Sequence, residues 1–93
     1  MSKIATVKKQ PNEKRRYGID YSNALDANDE IISATALSSP VGLTVGIGLY
    51  PEYINVICEG GADGVTYKVT LTVTTTESHE IIEDELYVKV KEI

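Results

Sequence analysis

The chain has 93 residues, of which 42% are hydrophobic and 25% charged, with a formal net charge of −5. That length suits one domain, and this balance of apolar and charged residues excludes a disordered polymer. A single cysteine, Cys58, excludes an intrachain disulfide, and the lack of any run of about 18 apolar residues excludes a membrane-spanning helix.

The chain opens basic. Residues 1–16 hold Lys3, Lys8, Lys9, Lys14, Arg15 and Arg16 against Glu13, a net +5, while the remaining residues carry −10. Residues 1–14 read as a basic N-terminal arm or as an edge strand, where lysines discourage further strand addition. A basic head on an acidic body has three readings: a solvated arm, an arm that docks on the acidic body of a neighbouring copy, or a nucleic-acid arm. The acidic body would repel phosphate, so no nucleic-acid partner is expected. No apolar run of the signal-peptide kind follows Met1, which sets the expectation of a cytoplasmic chain with no membrane partner.

Strand signals then follow one another. Residues 15–21 alternate Tyr17, Ile19 and Tyr21 with Arg16, Gly18 and Asp20. Ser22, Asn23, Ala24 and Leu25 form a turn or a short 3₁₀ piece that points Leu25 inward. Residues 30–37 read as a strand ended by Ser38-Ser39-Pro40. Residues 41–49 are a weaker strand, bulged or bent by Gly42, Gly46 and Gly48, and Tyr50-Pro51 ends it. Residues 53–59 place Ile54, Val56 and Cys58 on one side, and Gly60-Gly61-Ala62-Asp63-Gly64 is a turn that tolerates positive φ.

The strongest signal is residues 65–74. Val65, Tyr67, Val69, Leu71 and Val73 face one side, and Thr66, Lys68, Thr70, Thr72 and Thr74 the other. A turn at residues 77–80 leads to a last strand with Ile82, Asp84, Leu86, Val88 and Val90 on one face. Asp84 interrupts that apolar face, and a bulge at residues 83–85 would account for it. The last two strands pair as a hairpin. The pattern predicts an all-β, immunoglobulin-like antiparallel sandwich of about seven strands, with at most one short helical turn, over a single domain spanning residues 1–93.

No constellation points to catalysis, a metal or a cofactor. Tyr67, shortly after Asp63-Gly64 and near a strand start, has the layout of a tyrosine corner, in which the ring packs at the core edge and the hydroxyl bonds to upstream backbone. Asp26, Asn28, Asp29 and Glu30 resemble part of a calcium loop, but Ile31 stands where an EF-hand needs glycine, so they read as a polar turn. The acids at 80–85 read as a solvated face. Ser78 and His79 are adjacent, and adjacent side chains on a strand point apart. Cys58 reads as a small buried hydrophobe.

In order along the chain come Tyr17-Gly18-Ile19-Asp20-Tyr21, Leu25, Asp29-Glu30-Ile31-Ile32-Ser33 and Pro40-Val41-Gly42-Leu43. Gly60-Gly61-Ala62-Asp63-Gly64-Val65-Thr66-Tyr67 and a threonine-rich strand to Thr76 complete the series. With these motifs the chain resembles small phage and prophage immunoglobulin-like virion proteins of the fibre–tail adaptor or head–tail-region type. The resemblance implies a non-enzymatic role in virion assembly without a cofactor, in the bacterial cytoplasm during assembly and then in the virion. It implies as partners other virion proteins or further copies of the chain, that is, a homo-oligomer. Lys8, Lys9, Lys14, Arg15 and Arg16 are the candidate interaction arm. The other reading is an immunoglobulin-like adhesion or carbohydrate-binding module with Tyr50, Tyr53 and Tyr87 as stacking rings.

Overall fold

Alternating apolar residues bounded by turns produce seven strands. A computed structural model describes residues 2–76 and 80–92; Glu77, Ser78 and His79, and with them most of the expected final turn and the Ser78–His79 pair, lie outside the described residues. The strands are β1 (Ser2–Lys9), β2 (Lys14–Asp20), β3 (Ile31–Ser39), β4 (Leu43–Leu49), β5 (Tyr53–Gly60), β6 (Thr66–Thr75) and β7 (Ile81–Val90). Among the described residues there is no helix. Residues 22–25 form only a turn, closed by the Ala24 N–H on the Tyr21 carbonyl at 2.8 Å.

Two sheets result, one ordered β1-β7-β6-β3 and the other β2-β5-β4. Lettered A to G in chain order, β2, β5 and β4 take the places of B, E and D, and β3, β6 and β7 those of C, F and G, as in immunoglobulin domains. The expectation of a wholly antiparallel sandwich needs one correction. β1 leaves the B–E–D side and runs parallel to β7, with Val7 opposite Val88 and Lys8 opposite Lys89. Parallel neighbours need a long connection, and here the whole domain supplies it, because these are the first and last strands.

The core forms where the two sheets face each other. Ile54, Val56 and Cys58 from β5, Val69, Leu71 and Val73 from β6, and Leu86, Val88 and Val90 from β7 are all fully buried. These are the inward positions of three strands with period two, each at the middle of its sheet and so covered on both flanks. At roughly 25 cal/mol per Å² of apolar surface, this aliphatic layer is the main stabilising term.

The bulge expected at residues 83–85 is absent from the β6–β7 ladder, whose register runs unbroken from Thr66–Lys89 to Thr74–Ile81. Asp84 faces inward because Tyr21 satisfies it: the Tyr21 hydroxyl donates to its carboxylate at 3.1 Å. The irregularity lies instead in β1, where Ile4 is the extra residue between Lys3 and Ala5. β3 carries a second one between Ile31 and Ser33.

Candidate interaction surfaces at the two ends of the sandwich

The strands run lengthwise in a molecule 43 Å long and 21 by 18 Å across. Their registers therefore decide which side chains meet at each end. One end gathers the close of β1, the start of β2, the close of β5, the start of β6 and the close of β7. Backbone bonds join them: Lys91 N–H to the Lys9 carbonyl at 3.0 Å, Gly64 N–H to Val90 at 2.8 Å and Gly61 N–H to Gly42 at 3.1 Å. The Tyr17 hydroxyl adds a bond to the Lys8 carbonyl at 3.2 Å.

The parallel β1–β7 pairing makes this end basic. It sets Lys8 beside Lys89 and brings Lys91 up to Lys9. A half-open cavity of about 680 Å³ lies there, lined by Lys8, Lys9, Arg15, Lys89 and Lys91, with Glu13 its one carboxylate. Glu13 is already engaged: its carboxylate accepts from the Gln10 N–H at 2.7 Å and faces Arg15 at 3.4 Å, and the Gln10 bond first, then the Arg15 charge, hold its pKa below the usual value.

Of the expected arm residues, the structure brings Lys8, Lys9 and Arg15 to this cavity. Lys14 stands opposite Glu59 and Arg16 opposite Ile57 on the outer face of the β2-β5-β4 sheet. Lys9 is a correction. It is 3% exposed, and its ammonium donates to the Gln10 and Gly60 carbonyls, so it holds β1 to the end of β5 rather than reaching outward. Lys89 and Lys91 were missed by sequence reading. Their alternation with Val88 and Val90 marked them as outward, but nothing local marked their strand as β1's neighbour.

The residues of the expected tyrosine corner, Asp63, Gly64 and Tyr67, lie at this same end with different tasks. Tyr67 is buried, and its hydroxyl accepts from the Ala62 N–H at 2.9 Å. Gly61, at φ +96°, packs so closely that an added Cβ would stand 2.8 Å from a Val90 methyl and 3.2 Å from the Tyr67 ring. Asp63 points away from that contact and accepts from the Glu92 N–H at 2.8 Å, fastening the last residues of β7's extension. Gly64 turns the chain at φ +86°.

The opposite end gathers residues 20–30, the β4–β5 turn and the entry to β7, joined by Tyr21 N–H to Glu52, Ile31 N–H to Pro51 and Thr76 N–H to Glu30, each at 2.9 Å. Asp20, Asp26, Asp29, Glu30, Glu52 and Glu80 lie there, and the sequence holds no Lys or Arg between Arg16 and Lys68. Asp26, Asp29 and Glu80 bring carboxylate oxygens within 4.8 Å of one another. Asp29 is buried and bonded to the Glu30 N–H and the Thr76 hydroxyl, which fits the expected polar turn. Asp20 caps the turn by accepting from the Ser22 N–H at 2.8 Å, and that bond lowers its pKa.

The three tyrosines of the carbohydrate reading do not form one platform. Tyr50 and Tyr53 stack on each other with centroids 4.5 Å apart and planes 6° from parallel. Tyr87 lies on the other sheet, with its hydroxyl bonded to Glu85. Cys58 is buried, and desolvation raises its pKa to about 11 despite the opposing pull of Lys9. A thiol in that state is no nucleophile at neutral pH.

The molecule thus combines an immunoglobulin-type strand order with chemically opposite ends. No curated protein and no solved structure matches the chain. The family model described as podophage GP4 fiber-tail adaptor protein gp77 matches residues 9–89, which takes in β2 to β6 whole, β7 but for Val90, and the last residue of β1. With nearly its whole length aligned to that model, the chain belongs to the phage fiber-tail adaptor family.

Proposed function

We propose that this protein joins a tail fibre to the tail of a short-tailed phage or prophage particle by protein–protein contact alone, with no catalytic step and no cofactor. The observation that carries this is the family match over residues 9–89. The chemistry of the chain supports it. The one thiol, Cys58, is sealed in the core. What the sandwich offers is surface: two ends of opposite charge and a flank, residues 31–51, with no charged side chain. The partners are other virion proteins and further copies of the chain. Assembly takes place in the cytoplasm of the bacterial host before the protein is carried in the virion.

The test is made on particles. Deleting the gene from the phage or prophage that encodes this chain is expected to leave filled heads with tails but no fibres under negative-stain microscopy. Mass spectrometry of complete particles should find the chain. Particles that keep a full set of fibres without it would overturn the proposal.

A further inference from the structure

Taking the assembly reading above as its basis, we infer that the basic cavity at the β1–β7 end is a binding site for carboxylate-bearing protein surface, and that its occupant is the acidic end of a second copy. The contact is head to tail.

Three observations carry it. First, the cations are gathered rather than scattered. Lys8, Arg15, Lys89 and Lys91 line one cavity, and Lys8 and Lys89 are direct cross-strand neighbours. Like charges opposite each other cost energy unless an anion screens them. The one carboxylate among the described residues that line the cavity, Glu13, is held by Gln10 and Arg15 rather than by Lys8, Lys89 or Lys91. Second, the complementary surface is on the same molecule. The far end carries Asp20, Asp26, Asp29, Glu30, Glu52 and Glu80, with no Lys or Arg among the described residues that form it. Third, the two ends cannot neutralise each other within one chain. They are separated along a 43 Å axis, several times the Debye length of about 8 Å at physiological salt. Lys68, which lies between them, is paired with Glu85 at 3.7 Å. The acidic end therefore cannot answer the cavity lysines of its own chain, and can do so for those of another molecule.

A head-to-tail contact uses two different patches, so each copy keeps one free patch after binding. Repetition closes into a ring or continues as a filament. Either would give a fibre–tail junction several copies in fixed orientation.

The experiment is light scattering of the isolated chain across salt. At about 0.01 M salt, where the Debye length is about 30 Å, masses at multiples of the monomer are expected; at about 1 M, where it is about 3 Å, the monomer alone. Two triple variants change only exposed charges: Lys8→Glu/Lys89→Glu/Lys91→Glu makes both ends acidic, and Glu30→Lys/Glu52→Lys/Glu80→Lys cancels the charge of the acidic end, where Asp20, Asp26 and Asp29 remain. Each alone is expected to be monomeric at low salt with an unchanged circular dichroism spectrum, and an equimolar mixture is expected to associate. A wild-type chain monomeric at every salt concentration overturns the inference, even if a variant fails to fold. Association that survives 1 M salt, or that both variants retain unmixed, overturns it as well and points to the uncharged β3 edge. Because fibre attachment is read on particles and self-association on the isolated chain, the two proposals fail separately.

Discussion

Two charged residues sit where alternation would place apolar ones, and each is held by a named partner. Lys9 is buried with its ammonium on the Gly60 and Gln10 carbonyls. Asp84 interrupts the inward face of β7 and accepts from the Tyr21 hydroxyl. Burial and the nearby carboxylate together raise the Tyr21 pKa. A buried polar group without a partner costs about 1–3 kcal/mol, and these bonds spare Lys9 and Asp84 that cost. Cys58 is the opposite case, a titratable group whose neutral form suits its site. Its pKa is about 11 in the fold against 9.0 for the free side chain. Between those values the unfolded chain gives up the thiol proton first. The thiol's share of stability is therefore complete below pH 9 and is lost as pH rises through 11, on the order of 2 kcal/mol. Urea midpoints at pH 8 and pH 11 should show a smaller fall for Cys58→Ala than for wild type. A thiol reagent at pH 8 should label Cys58 in urea and leave it untouched in buffer.

At the scale of elements, the glycines divide into two kinds. Gly61, with φ +96°, occupies a left-handed position in contact with Val90 and Tyr67 and cannot carry a side chain there. Gly46 lies on the outer face of β4, where an added Cβ would meet nothing within 4 Å. Gly61→Ala is expected to lower stability by about 2 kcal/mol or more through overpacking and backbone strain. Gly46→Thr is expected to leave it unchanged or raise it by up to about 1 kcal/mol, because a β-branched residue suits a strand. Chemical denaturation of the two variants checks both. The bulge expected in residues 41–49 is absent: β4 pairs with β5 without a break from Leu43–Gly60 to Leu49–Ile54.

For the whole molecule, the decisive element is β1. The basic segment is a paired strand, anchored by its ladder to β7 and by Lys9 to the end of β5. Ala5 and Val7 pack against the core beside it. Removing residues 2–9 would expose one edge of β7 and leave the Gly60 carbonyl without its ammonium. The truncated chain is expected to unfold at a clearly lower urea concentration, or to aggregate through the uncovered edge. An unchanged midpoint would mean that residues 2–9 contribute nothing to the fold. For the same reason, truncation is a poor probe of charge-driven association, and charge reversal is the cleaner one.

Strand identity and facing were legible in the sequence because period-two alternation is a local property. The inward sets on β5 and β6 follow from it directly, and in a chain without Phe or Trp they make a core that is mainly aliphatic, with Tyr21 and Tyr67 as its buried rings. The resemblance of the Gly-Gly-x-x-Gly-x-x-Tyr segment and its neighbours to phage virion proteins was legible for the same reason, since those motifs are short and continuous. Three things needed the tertiary structure. The parallel pairing of the first and last strands joins Lys8 to Lys89 across the length of the chain. The Tyr21–Asp84 bond excuses a carboxylate that looked like a bulge. The loop packing at the far end brings Asp26 and Asp29 to Glu80. Each depends on residues more than 50 positions apart. A pattern of side chains tells a strand which way to face, whereas which strands become neighbours is set by how two sheets close over one core.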